Sequence, residues 1–243
     1  MSWFLEPALV AAAVGLVSGA AVPDLIARIP EPDPDPAVTD SDDVSGEAEE
    51  PKELYVDLAA APGLRWRTAL ATAVVAGLAA ARVGWAPALA FVLFLSPVGV
   101  ALAVVDWRTR LLPTRVIAPS YVVVGLLAAL CALADGDPHR LLRAALGWLV
   151  AGGTFFLLWF IYPRGMGYGD VRLAGLLGIT LGYLGWSELL TGVYAGFLVG
   201  GIGGLLLSLL RIVDRKAYPF GPFMLFGGLL GVLVGPYVGA WYA

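Results

Sequence analysis

Apolar and polar positions alternate on a long scale in this chain, marking eight apolar runs at about 8–27, 68–85, 87–105, 116–134, 142–162, 171–186, 188–210 and 222–242. Most approach the roughly 20 residues that a helix needs to cross the hydrocarbon of a bilayer. Backbone in lipid has to satisfy its own hydrogen bonds, so each run predicts a helix. The expected fold class is therefore all-α: a polytopic integral membrane protein of about eight transmembrane helices forming a single membrane domain over 1–243. Within the first run, Ser18-Gly19-Ala20 resembles a leader cleavage site, but Glu6 precedes the run and no Lys or Arg does. It reads as a retained anchor. The 30–67 stretch opens Pro-Glu-Pro-Asp-Pro-Asp-Pro and holds too few apolar residues to fold alone. It predicts a flexible acidic loop with a short amphipathic piece near Leu54 to Leu58.

Composition agrees: 59% hydrophobic and only 14% charged, with a mean hydropathy of +0.83. The net charge of −4 misleads, because Glu31 to Asp57 holds 11 of the 19 acidic residues and a single base, Lys52. The remainder is basic, and the bases are unevenly spread. With the amino terminus outside, twelve (Arg28, Lys52, Arg65, Arg67, Arg108, Arg110, Arg115, Arg164, Arg172, Arg211, Arg215 and Lys216) face the cytoplasm, against Arg82, Arg140 and Arg143 outside. That bias sets the expected topology: both termini extracytoplasmic, and the 28–67, 106–115, 163–170 and 211–221 loops cytoplasmic. Lipid is the expected surroundings, and nothing points to nucleic acid.

Chemistry narrows quickly. Cys131 is the single cysteine and His139 the single histidine, so cysteine-cluster metal sites, zinc hydrolysis and Ser/Cys-His catalysis lose their residues; no metal is expected. Of the eight acids outside the loop, Glu6, Asp135, Asp137, Glu188 and Asp214 fall in terminal or loop positions, and Asp24 lies four residues before Arg28, the spacing of a helical ion pair. Asp106 and Asp170 remain. The first ends a run descending to the cytoplasm and the second begins a run leaving it, so the two can meet. Two carboxylates in one site offer a general base and a general acid together, the aspartyl protease arrangement. Gly165-Met-Gly-Tyr-Gly-Asp170 surrounds the second aspartate; taken alone it also describes a glycine-rich turn before a helix.

Three separated strings resemble the type IV prepilin peptidases, the Gly-x-Gly-Asp membrane aspartyl proteases. Gly165 to Leu173 resembles the family's Gly-x-Gly-Asp segment, with Arg172 where Lys is usual. Asp106-Trp-Arg-Thr-Arg-Leu-Leu-Pro113 resembles its first catalytic segment, and Pro219-Phe-Gly-Pro-Phe223 its carboxy-terminal block. A fainter match runs from Gly15 to Pro30. The resemblance implies Asp106 and Asp170 as catalytic residues, with Gly167, Gly169, Pro113, Gly221 and Pro222 in supporting motifs. It implies a multi-pass enzyme of the bacterial inner membrane that removes the leader of prepilin or pseudopilin precursors from the cytoplasmic side. No cofactor is expected for proteolysis. S-adenosylmethionine enters if the family's second activity, methylation of the new amino terminus, is retained.

Departures from the pattern are Thr114 in place of an Asp after Leu-Pro, Ala20-Ala-Val-Pro23 in place of Ser-Phe-Leu-Asn, and a first loop without the Cys-x-x-Cys pairs of large members. Presenilin-like proteases would want Tyr-Asp at the first aspartate and Pro-Ala-Leu after the second, whereas Pro87-Ala88-Leu89 precedes both. A transporter would favour carboxylates near mid-membrane, and a non-catalytic assembly factor would not need the pair. Arg108, Arg110 and Arg115 read first as anchors at lipid headgroups. The sharper expectation is that Arg108, Arg110 and Arg172 shape the surface where substrate enters, with Arg164.

Overall fold

A computed structural model of the 243-residue chain describes residues 3–31, 53–163, 166–209 and 219–242. Among them the regular structure is helical: α1 (Leu5–Ala20), α2 (Val22–Ala27), α3 (Tyr55–Ala59), α4 (Leu64–Val83), α5 (Leu89–Thr109), α6 (Thr114–Asp135), α7 (Pro138–Ile161), α8 (Tyr168–Leu184), α9 (Trp186–Leu209) and α10 (Gly221–Tyr242). Helix therefore covers every one of the eight apolar runs. Five stretches among the described residues are long and apolar enough to cross a membrane: Leu5–Ala27 taken as one piece, α5, α6, α7 and α10. α4 carries Arg65, Arg67 and Arg82, and α8 has 17 residues.

Helix boundaries depart from the apolar runs where local chemistry dictates. The first run is not one helix, because Pro23 supplies no N–H to bond back into the preceding turn, and the chain breaks at Ala21 into α1 and α2. α5 runs past the end of its apolar run through Asp106 and stops at Arg110, which takes a left-handed conformation (φ 56°) and returns its N–H to the Asp106 carbonyl at 2.8 Å. α8 begins before its apolar run, so Asp170 falls in the first helical turn. Both aspartates thus sit inside helix ends rather than in the loops beside them. α3 forms where the short amphipathic piece was expected, burying Tyr55 and Leu58 and exposing Val56.

Small residues let the helices approach closely. On the α9–α10 contact, a Cβ added at Gly227 would lie 2.4 Å from the Gly196 nitrogen, and one at Gly231 would lie 2.5 Å from the Glu188 carbonyl oxygen. Close packing is therefore what Gly196 does. Most of the acidic loop, Arg164, Gly165 and the 210–218 connection with Arg211, Asp214, Arg215 and Lys216 lie outside the described residues.

One core cluster matters for function. Ile26, Tyr55 and Leu58 from α2 and α3 pack with Leu102 and Val105 of α5, Ile117 of α6, Leu173 of α8 and Met224 of α10. The end of α5 and the beginnings of α6, α8 and α10 therefore gather at one end of the bundle, with α2 and α3 beside them. The ends of the acidic loop meet there too, because Glu31 accepts the Tyr55 N–H at 2.7 Å and the Val56 N–H at 3.3 Å.

Candidate active site

Asp106 occupies the last turn of α5 and is 4% exposed; Asp170 occupies the first turn of α8 and is 8% exposed. They lie close enough for the charge of Asp106 to act on Asp170. Each carboxylate is held by a backbone N–H rather than by a cationic side chain. Gly221, first residue of α10, donates its N–H to Asp106 Oδ2 at 2.9 Å, a buried bond from a helix N-terminus whose dipole favours a carboxylate. Gly167 donates to Asp170 Oδ2 at 3.2 Å, and the Asp170 N–H returns to the Gly167 carbonyl at 3.1 Å. This reciprocal pair fixes the carboxylate at the start of α8, as a capping box does, with the glycine backbone in the role of the capping side chain.

Leu112 packs against the backbone beside both carboxylates. A Cβ at Gly169 would fall 2.7 Å from Leu112 Cβ, and one at Gly221 would fall 2.7 Å from Asp106 Oδ2 and 3.4 Å from Leu112 Cδ2. Both glycines are required by close approach, which is the physical content of their motifs. Pro113 stands at the cap position of α6 in an extended conformation, directly after Leu112. Pro222 borders a cleft with Trp107 and Arg108.

The three arginines proposed for the substrate surface separate. Arg108 is paired with Glu53 at 2.7 Å, tying the segment ahead of α3 to the end of α5. Arg172 donates to Thr114 Oγ1 and lies 4.6 Å from the centre of the Tyr168 ring. Arg110 is exposed, and its conspicuous contribution is its backbone turn. Asp24 does not use Arg28 as its close partner: it meets Arg65 of α4 at 2.8 Å, and Arg65 also donates to the Ala20 carbonyl at 2.9 Å. The break at Ala21 turns α2 away from α1, so the contact across to α4 displaces the helical i,i+4 pair.

Residues that sequence reasoning passed over are Leu112, Glu53, Tyr55 and Tyr121. The Tyr121 hydroxyl donates to the Arg172 carbonyl at 2.7 Å. Tyr55 is buried at the site end, and that burial, with the Glu31 charge nearby, pushes its phenol above the ordinary value, so it stays neutral. Leu112 could have been found from its place beside Pro113; the others carry no signal before the chain is folded.

The arrangement defines a class: an all-helical membrane protein with two buried carboxylates presented from helix ends into one site. Residues 93–209, which hold both aspartates, match the type IV leader peptidase family. The chain is 33% identical over 164 residues to the prepilin leader peptidase/N-methyltransferase of Aeromonas salmonicida (strain A449), which covers 65% of this chain and 53% of that one. It is 30% identical over 168 residues to the protein of the same name from Pseudomonas aeruginosa, covering 68% and 57%. A further one, from Dichelobacter nodosus, is 31% identical over 152 residues, covering 62% and 51%. The chain spans about half the length of the curated relatives it matches. No solved structure matches it.

Proposed function

We propose that the chain is a membrane aspartyl endopeptidase that removes the leader of type IV prepilin or pseudopilin precursors. It would act at the cytoplasmic face of a bacterial inner membrane, with both termini on the other side. The observation that supports the reading is that Asp106 and Asp170 are both buried at neighbouring helix ends, inside the segment that matches the leader peptidases. Two carboxylates in one dry site cannot both carry charge cheaply, so one keeps a proton. The ionised partner takes a proton from water as it attacks the scissile carbonyl, and the protonated partner hydrogen-bonds the carbonyl oxygen as charge develops there. Gly221 and Gly167 hold the two groups in place. The side of the membrane follows from the twelve-to-three bias of bases, most of which flank the helix ends that build the site.

The relatives' names include an N-methyltransferase activity. S-adenosylmethionine would bring a sulfonium cation and a ribose diol, which call for carboxylates. The clefts along α5 are lined by apolar side chains with Arg67 and Arg108 as their charges. That lining does not fit the group, and the proposal stops at leader cleavage. Co-expression with a pilin-like precursor, followed by mass measurement of the product, tests both points: a shortened product supports the peptidase, and the added mass of a methyl group would show the second activity. An uncut precursor would overturn the reading.

A further inference from the structure

α8 carries Asp170 in its first turn and ends at Leu184, about 20 Å further along its axis. The helix closes with a bond from the Gly185 N–H to the Leu181 carbonyl. The next three carbonyls, like those at any helix end, need donors from outside. Arg143 of α7 supplies them: its Nε–H donates to the Gly182 carbonyl at 2.8 Å, and its Nη2 to those of Tyr183 at 2.7 Å and Leu184 at 3.3 Å. A guanidinium placed there also meets the negative end of the helix dipole. Beside it the hydroxyl of the buried Tyr183 donates to Asp135 Oδ2 of α6 at 2.6 Å, and Arg140 donates to the same oxygen at 3.0 Å.

At the near end, Tyr121 of α6 donates to the carbonyl of Arg172, two residues after Asp170, at 2.7 Å. α6 and α8 are thus tied twice, by one tyrosine from each. Between the ties α8 meets α7 over Gly178 and Gly182, where an added Cβ would lie 2.9 Å from Ala151 Cβ and 2.8 Å from the Arg143 carbonyl oxygen. Small residues let backbones pack closely in lipid, but they offer no side-chain knobs of the kind that fix the register of one helix along another. Polar ties must do so. We propose that Tyr183 and Arg143 are positioning residues for the aspartate pair: through Asp135 of α6 and the start of α7 they set the axial register of α8, and so the depth at which Asp170 stands beside Asp106. α6 is the natural reference, because only residues 110–113 separate it from α5, which carries Asp106. A helix is stiff over this length, so slippage at Tyr183 reappears at Asp170, and a misplacement of about 1 Å can cost on the order of a hundredfold in rate. The inference rests on the leader-peptidase reading and adds to it residues at the opposite end of the helix.

The test uses the full chain in detergent micelles, well below the melting temperature of each variant. Tyr183→Phe removes one hydroxyl and Arg143→Ala the guanidinium; each should lower kcat for a precursor peptide by about tenfold and leave KM within about twofold of wild type. Arg143→Lys keeps the cation at the helix end and can still reach a carbonyl, so it should recover part of the loss. Val92→Ala, a truncation in the core where α5 meets α1 and α4, controls for stability. It should lower the melting temperature and leave kcat unchanged. A kcat that merely follows melting temperature across the four variants would overturn positioning. Register is also read without activity, from the rate at which a maleimide labels Asp170→Cys in a Cys131→Ser background. Tyr183→Phe and Arg143→Ala should each speed labelling by about fivefold by loosening the helix, and Val92→Ala should not; equal rates in all would overturn the proposal. Wild-type protein that leaves the precursor uncut would count against the peptidase reading, and the labelling rates would still decide the register.

Discussion

Gly221 reaches across 115 positions of sequence to donate its backbone N–H to the Asp106 carboxylate at 2.9 Å, in a buried contact at the start of α10. The Pro-Phe-Gly-Pro-Phe block is thereby a clamp on the first aspartate. A Cβ at this position would sit 2.7 Å from Asp106 Oδ2, closer than carbon and oxygen can pack. Gly221→Ala should lower kcat by about ten- to a hundredfold through displacement of the carboxylate, with the protein still inserted. Steady-state cleavage of a precursor peptide measures this, and unchanged turnover would mean that the clamp does not position Asp106.

Gly169 faces Leu112 in the same way. Alanine favours a helix over glycine by about 1 kcal/mol, but overpacking costs about 1 to 3 kcal/mol where the neighbour cannot retreat. Leu112 directly precedes Pro113, whose ring locks its own φ and restricts the residue before it. Gly169→Ala should therefore lower both melting temperature and activity, and Leu112→Gly in the same chain should recover part of each. Thermal unfolding in detergent checks the first, and additive losses in the double variant would refute the contact.

The Asp24–Arg65 pair is exposed on both sides, with side-chain exposures of 55% and 60%. Exposed ion pairs contribute little. Asp24→Asn should keep activity within about twofold of wild type, which makes it the control for boundary acids. Arg65→Ala should be the more disruptive of the two, because Arg65 also holds the Ala20 carbonyl at the α1–α2 break. Equal effects would show that the carbonyl bond is immaterial.

Two departures from the family pattern touch each other: Arg172 donates to Thr114. Thr114→Asp should convert a hydrogen bond into a charge-assisted one, roughly twice as strong, and raise the melting temperature, while Arg172→Ala in the same background should abolish the gain. A double-mutant cycle on thermal stability reads this directly.

Much of this architecture was legible before folding. Runs of about 20 apolar residues fix helix positions because lipid leaves the backbone no other solution; helix forms in each run, the first in two pieces, and five stretches among the described residues are long and apolar enough to cross a membrane. Asp106 and Asp170 stood out because an acid at the edge of such a run needs a reason. What sequence hid is of two kinds. Helix ends shift by a few residues where a proline, a left-handed residue or a glycine cap intervenes, as at Ala21, Arg110 and Gly167. Partners distant in sequence are invisible to a local spacing rule: i,i+4 suggested Arg28 for Asp24, and the fold supplied Arg65. Leu112, Glu53 and Tyr121 likewise acquire roles only from what the fold sets beside them.

Whether Asp106 and Asp170 act as one unit is read from the turnover of a precursor peptide by wild-type protein, D106N, D170N and the double variant at equal membrane content. An amide can neither take the proton of the attacking water nor share one with its neighbour. Each single variant should lose cleavage almost completely and the double variant should be no worse than either single, since residues working as a unit are non-additive. Near-normal turnover by either single variant, or residual trimming by the double variant, would contradict that joint action.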